Sequence, residues 1–484
     1  MPTFTANNVA KLFGAEAAED EPDDRFRQYF FYNKTYDDLV SDLPIRILVG
    51  HKGVGKSALL KRGRLHDAEK GTLAISLTPG DVAAVSTSQS SENFTNLVEY
   101  WKQGILAIIA RHVLGDSAND MLNRETMGGF ARRITSFVPA LTSKLTEKVG
   151  VSKAEFNRVI VDNFVTTGVI TVYIDDIDRG WSASKADIKN ISALLNALRD
   201  IAGSDRRIRF RIGLRSDVYF LVRTSDESTD KIEANVIWLS WSNHEILCIM
   251  AKRIETFFGV ERDQQAILKL NQTDIANNIL SKVIEPKFAG LGHWSNRSIH
   301  NVLLSLTRQR PRDLVKLMHG AAKNAAGAGN QIISTTNLKD SFEEYSNERL
   351  QDIINEFRSE MPDIERLLLG MRPTRKERTA AESYLFTNDK LSKKLSSILE
   401  QVNLSFTNGR PVTGKSLTQF LYKIDFITAR KTQTDGSIDR RYFDRSRFLA
   451  SEFADFGFDW EIHPAYRWAL QPQDIQSVLD SLSK

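Results

Sequence analysis

Apolar and polar positions change rhythm along this chain. In the first half, short apolar runs alternate with stretches of helical spacing. The spacing predicts a strand at 46–49, a helix from Lys56 to about residue 69, and a second strand at 72–77. Residues 90–165 carry apolar side chains at helical intervals (Leu97, Trp101, Ile105, Ile108, Ile109, Val113) and read as a long helical insertion. Residues 168–174 form an unbroken apolar run, as expected of a strand covered on both faces. An amphipathic helix is predicted at 188–201, and strands at 207–214 and 235–239. Strands separated by helical segments imply an α/β domain with a parallel sheet.

From about residue 243 the strand signal stops, and helices are predicted at 245–258, 274–284, 299–306, 312–326 and 338–359. Farther on, helices at 391–402 and 416–424 precede a strand at 426–431, a turn at 434–437 and a returning strand at 438–443. Helices followed by a hairpin give a winged-helix order. The expected domains are therefore an N-terminal extension (1–44), an α/β core (45–242), a helical lid (243–345) and a winged-helix-like C-terminal domain (346–484). The extension holds Phe26, Tyr29, Phe30, Phe31, Tyr32 and Tyr36 behind an acidic run, and most of these aromatics are expected to pack on the core.

Composition narrows the picture little. The 484 residues are 41% apolar and 26% charged, with formal net charge +4, too small to argue for nucleic acid without a local basic cluster. The one cysteine, Cys248, excludes an internal disulfide and sits among apolar neighbours, as a packed thiol would. The eight histidines show no metal-binding spacing. The most apolar stretch, 104–110, is far too short to span a bilayer. A cytoplasmic protein without membrane segments is the expectation.

Chemistry enters at residues 50–57, which read G-x-x-x-x-G-K-S between a predicted strand and a predicted helix. Gly50, Gly53 and Gly55 let the backbone curl so that several N–H groups, including those near Val54 and Ala58, face one anion. The helix opening at Lys56 adds its positive dipole end. Lys56 is expected on the β- and γ-phosphates, and Ser57 on Mg²⁺. The strand at 168–174 then delivers Asp175 and Asp176 at its carboxyl end. Asp175 would organise Mg²⁺ through water, and Asp176 would polarise the attacking water. Taken alone, that acidic box also suits a solvated turn. Arg215, at the end of the strand at 207–214, could sense a γ-phosphate or be an ordinary surface arginine. Arg312, in Arg310-Pro-Arg-Asp-Leu314, could reach phosphate or simply open a helix with a charged first turn.

These residues, in this order and followed by helices, resemble the AAA+-related P-loop ATPases, with the origin-recognition and STAND branches the most similar. Phe13-Gly14, the box from Ile174 to Trp181 and the Arg310–Leu314 motif also resemble a group of bacterial P-loop ATPases. The resemblance covers residues 10–345 well. It implies a sheet with an extra central strand, ATP and Mg²⁺ as cofactors, and nucleotide-driven assembly or switching. It also implies a mobile-element or antiphage setting, with an effector protein encoded nearby. The chain departs from the family in carrying Asp176 where many members have Glu, which bears on hydrolysis rate.

The same G-x-x-x-x-G-K-S pattern recurs at 409–416, but no buried strand precedes it, Pro411 removes a phosphate-facing N–H, and no acidic strand follows. It reads as a loop before a helix. Near it, Arg430, Lys431, Arg440 and Arg441, with Lys415, Lys423, Arg445 and Arg447, form a basic cluster that could straddle a DNA backbone. Three functions stay open: an ATP-hydrolysing switch that self-assembles or engages a partner, a DNA-binding initiator-like ATPase, and an ATP-holding scaffold that recruits an effector.

Overall fold

The computed structural model describes residues 4–86, 93–122, 153–225, 230–290, 292–377, 383–434, 438–446, 449, 457–471, 478–480 and 482. The inner part of the expected insertion (123–152), most of the expected turn at 434–437, and Arg447 lie outside the described residues. The chain forms two compact units. One joins Met1–Phe31, Gly53–Gly55 and Ser240–Lys484; the other joins Tyr32–Lys52 and Lys56–Leu239. The expected boundaries at 44/45 and 345/346 thus both fall inside units.

The second of these units is an α/β fold. Five parallel strands, β1 (Ile45–Gly50), β2 (Leu73–Leu77), β3 (Ile170–Ile174), β4 (Ile208–Arg215) and β5 (Val236–Trp238), lie in the order β2-β3-β4-β1-β5. β4 therefore sits between the glycine-loop strand and the acidic strand, as the extra central strand anticipated from the sequence. All five residues of β3 are buried, which is why it reads as an unbroken apolar run. The charged positions of β4 are compatible with this sheet because Arg211, itself buried, donates to the Ser41 carbonyl at 2.6 Å and the Leu43 carbonyl at 3.0 Å. Helix Lys185–Ser204 starts at a reciprocal cap between Ser184 and Asp187 and buries ten of its residues, from Ile191 to Ala202. The insertion contributes helices Phe94–Leu122 and Lys153–Val165, with Trp101, Ile105, Ile109 and Val113 in the same core.

The other unit is mainly helical, and some elements differ from expectation. The predicted helix at 274–284 is a short helix, Gln272–Asn278, followed by a 3-10 turn, Leu280–Lys282. The predicted helix at 338–359 is two helices, Thr335–Asp340 and Phe342–Phe357. The C-terminal part holds a four-stranded antiparallel sheet of β6 (Leu385–Phe386), β7 (Ile427–Thr432), β8 (Ile438–Arg441) and β9 (Asp459–Ile462), in the order β6-β9-β7-β8. The β7–β8 hairpin matches expectation, whereas β9 falls where no strand was predicted. Trp460, Glu461 and Ile462 are all buried, so the apolar/polar alternation of Asp459–Ile462 marks a strand whose polar Glu461 also lies inside.

Two parts of that unit meet through buried ions. Asp313 accepts from Arg308 at 2.8 and 2.9 Å and from Arg349 at 3.1 Å, and Arg310 pairs with Asp425 at 2.8 Å. The facing arginines hold the Asp313 carboxyl far below the usual carboxylate range. Removing one partner from such a group leaves an uncompensated buried charge, at a cost of about 3–5 kcal/mol. In the Arg310–Leu314 motif, then, Arg310 and Asp313 hold the fold, and of its charged side chains only that of Arg312 is half-exposed.

Candidate functional site

β1 and β4 run in register, with Gly50 beside Arg215, and β3 and β4 pair Ile174 with Ile212. The carboxyl ends of three adjacent strands thereby bring the glycine loop, the end of β4 and the acidic box to one edge of the sheet, where open α/β folds bind ligands. Gly53 and Gly55 take φ of +84° and +103°, a backbone region that side chains strongly disfavour, so the loop's curl depends on them. Lys56 turns its ammonium back over the loop and donates to the Gly50 carbonyl at 2.8 Å and the His51 carbonyl at 3.0 Å. Ser57 hydrogen-bonds the Asp175 carboxylate, linking the start of helix Lys56–Glu69 to the end of β3. Burial raises the Asp175 pKa, opposed by that bond and by Lys56.

Room for Asp175 comes from a residue that sequence reasoning passed over. A β-carbon on Gly213 would lie 2.4 Å from Asp175 Oδ1 and 3.0 Å from Leu60 Cδ1. A glycine inside a predicted strand was the available signal. Asp176 is exposed, with φ +51°, and its N–H donates to Asp175 Oδ1 at 3.1 Å. A left-handed aspartate turns the chain sharply after the strand and directs successive carboxylates differently.

Arg215 is held between two acids. It donates to Asp217 at 3.0 and 2.7 Å and lies 3.3 Å from Asp178, both carboxylates being buried. Burial pushes the Asp178 pKa up to about 6, opposed by Arg215 and aided by the Asp217 charge. His51, buried inside the loop, faces the Ser216 hydroxyl at 3.3 Å.

The loop tip, Gly53–Gly55, groups with the helical unit. There the Trp241 indole donates to the Val54 carbonyl at 2.6 Å, and the Arg312 N–H lies 3.4 Å from the Gly53 carbonyl. The Arg312 side chain donates to the Glu16 carbonyl at 3.0 Å. Trp241 was invisible to sequence reasoning because nothing in the residues just past β5 ties them to the loop. In the same unit, Gly14 sits under Arg253, whose guanidinium stacks 4.8 Å from the Tyr29 ring centre and donates to the Phe13 carbonyl.

The basic cluster is only partly a surface. Arg440 donates to Glu461 at 2.7 Å, Arg467 does so at 2.5 Å, and Arg430 lies 3.6 Å away. Three guanidinium groups hold the buried Glu461 carboxyl down to about 2. Expected as nucleic-acid contacts, Arg430 and Arg440 instead face an acid that pairing of β7 with β9 brings to their side of the sheet. Lys431 and Arg441 are exposed, with Arg441 paired to Asp439 at 2.9 Å. At the second glycine-loop pattern, Thr413 and Ser416 cap helix Gly414–Lys423 reciprocally, and the Ser416 hydroxyl donates to the Thr413 carbonyl at 3.0 Å. Cys248 is buried, its pKa pushed up to about 12 by burial. Among the described residues, no helix is long and apolar enough to cross a membrane.

A family model described as a FunZ-associated C-terminal helical domain matches residues 272–354. Over 489 residues the chain is 22% identical to a putative transposon gamma-delta 80.3 kDa protein of Escherichia coli (strain K12), covering 90% of this chain and 64% of that protein. The chain thus spans less than two thirds of that relative's length. The allergen Alt a 2 of Alternaria alternata is 25% identical over 161 residues, 33% of this chain and 75% of the allergen. Among solved structures, the chain is similar to a Walker-type ATPase of Pyrococcus abyssi (TM-score 0.41, 11% identity, 87% and 96% of the two chains). It is also similar to the ORC2 protein of Aeropyrum pernix (0.38, 13%, 90% and 86%) and Cdc6p of Pyrobaculum aerophilum (0.33, 13%, 98% and 99%). These structural likenesses are distant; the strand order and the loop carry the fold assignment.

Proposed function

We propose that this chain is an ATP-binding and ATP-hydrolysing switch of the AAA+-related P-loop kind. The observation that carries this reading is the meeting of Gly50, Ser57 and Asp175 at one sheet edge, with Ser57 bonded to Asp175 and β4 lying between the two motif strands. In this reading the backbone N–H groups of residues 53–58 cradle the phosphates, and Lys56 leaves its loop carbonyls for the β- and γ-oxygens. Ser57 and Asp175 hold Mg²⁺, which supplies charge neutralisation on the phosphates. The surrounding carboxylates Asp175, Asp176, Asp178 and Asp217 outnumber the cations Lys56 and Arg215, an imbalance a divalent cation offsets. Asp176 orients the attacking water, and Arg215 and Arg312 sense the γ-phosphate. The shorter Asp176 favours slow turnover.

The switch reading is supported by the loop tip. Gly53–Gly55 is bonded to Trp241 and Arg312, so backbone movement of the loop on phosphate binding strains those bonds. Residues 243–345 act as a lid and 346–484 as a winged-helix-like output module, with self-assembly or recruitment of an effector protein in a mobile-element or antiphage system as the consequence. A second reading, DNA engagement, is supported by the exposed Lys431 and Arg441 beside the β7–β8 hairpin and by the transposon description of the Escherichia coli relative. Titration with a fluorescent ATP analogue with and without Mg²⁺, followed by multiple-turnover phosphate release, tests the first reading. Mg²⁺-dependent binding and release are expected; no binding overturns it, and binding without release leaves the scaffold. Sizing with ATP–Mg²⁺ and with duplex DNA separates assembly from DNA engagement.

A further inference from the structure

One residue past the last pair of strands β1 and β4, two polar side chains meet out of water. Gly50 stands beside Arg215 in the register of the sheet. The next residues are His51, inside the glycine loop, and Ser216, which opens helix Ser216–Ser225. Both are buried, at 3% and 1% exposure, and His51 Nδ1 lies 3.3 Å from Ser216 Oγ. A serine hydroxyl can donate to an imidazole nitrogen or accept from it, so either ring tautomer supports the bond. His51, Lys56 and residues 215–217 all belong to the α/β unit.

The two ends of this bond are anchored differently. Ser216 follows β4, an interior strand of the sheet, and Val218, Tyr219 and Val222 of its helix are buried in the core. The glycine loop leaves the sheet after Gly50, where the paired register of β1 and β4 ends. Separating His51 from Ser216 would strip a buried hydroxyl and a buried ring nitrogen of this bond, a cost that favours holding the loop start in place. The bond thus extends the β1–β4 pairing by one residue, through side chains instead of backbone.

The neighbours of the pair carry charges of the proposed site. The His51 carbonyl, with that of Gly50, accepts the Lys56 ammonium at 3.0 and 2.8 Å. Ser216 lies between Arg215 and Asp217, which are joined by two hydrogen bonds of 3.0 and 2.7 Å. A shift of His51 therefore moves a carbonyl on which Lys56 rests, and a shift of Ser216 moves the arginine clamp. We infer that His51 and Ser216 are a pair of positioning residues, which hold the start of the glycine loop against the end of β4 and so set Lys56 relative to Arg215. The effect on turnover rests on the proposed nucleotide function; the hold on the loop does not.

The experiment is hydrogen exchange on the full chain, with ATP titration and phosphate release on the same variants. These are Ser216→Ala, His51→Leu and the double variant; Ser216→Ala removes a single oxygen, and its thermal melting checks that it folds. In each single variant, exchange across residues 45–57 should rise about fivefold, while exchange across β3 keeps its rate. Phosphate release should fall about tenfold with ATP affinity changed less than about threefold, because the loop N–H groups still face the phosphates. The double variant should lose no more than the worse single one, since the bond is already broken in both. Unchanged exchange across 45–57, a multiplied loss in the double variant, or a wild-type release rate in the single variants overturns the inference. Faster exchange that spreads equally to β3 overturns it too, since it marks a bond that serves global stability alone. If the wild-type chain binds no ATP or releases no phosphate, the nucleotide function fails instead, and exchange in the three variants still decides the pair.

Discussion

Residues 50–57 and 409–416 satisfy the same eight-residue pattern in unlike surroundings. The first follows a buried strand, β1, while the second follows an irregular stretch. In the first, Gly53 and Gly55 adopt positive φ and Lys56 folds over the loop; in the second, only Gly409 does, and Lys415 is exposed. The serines part most clearly: Ser57 bonds a carboxylate from another strand, whereas Ser416 bonds its own helix start. A glycine-rich loop becomes a candidate phosphate site when a sheet edge brings a second, remote carboxylate to its hydroxyl. Local chemistry alone makes a helix cap.

Lysine truncation gives the sharpest break between the two. Lys56→Ala should weaken ATP binding by about a hundredfold, since it removes a charged group from the proposed phosphate cradle. Lys415→Ala should leave affinity unchanged, and calorimetric titration reads both; equal losses would make the second loop a nucleotide site. Next come the glycines. Gly213→Ala places a methyl against Asp175, and phosphate release should fall about tenfold or more as the carboxylate shifts. Gly414→Ala, whose new β-carbon meets Ser392 at ordinary distances, 3.6 Å from Oγ and 4.0 Å from its carbonyl oxygen, should change nothing in that assay.

Titration offers a smaller difference. The folded-state pKa of Asp178, about 6, lies above the usual value of 3.8, so the folded state binds more protons across that window. Stability should fall as pH rises from about 3.8 through about 6, by no more than about 3 kcal/mol, and Asp178→Asn should flatten the slope in urea unfolding. A slope that survives the substitution would place its source elsewhere. Smallest is the cap: Thr413→Ala should cost about 1 kcal/mol of stability, read by thermal melting, and leave nucleotide affinity intact.

Much of the α/β unit was legible because its signals are local. Strands β1 and β3 announce themselves as apolar runs and β4 by its alternation, and the loop and Asp175 follow from residue type and position. Legibility failed where two distant segments share one space. Gly213 matters only because β4 lies beside β3, and Trp241 only because its indole meets the loop tip. Arg430 and Arg440 read as a charged surface because Glu461 is far along the chain and nothing local pairs β9 with β7.

By itself, the sequence determined that a phosphate-type loop and an acidic strand end exist here, since both depend on the intrinsic freedom of glycine and on short-range apolar patterning. It also sufficed to set aside the second loop, through Pro411 and the missing strand. Only the tertiary structure decided which charges face ligand space and which neutralise one another. A buried ion requires a partner, and for several of these ions the partner comes from a remote part of the chain: Asp178 for Arg215, Glu461 for Arg430 and Arg440, Asp425 for Arg310.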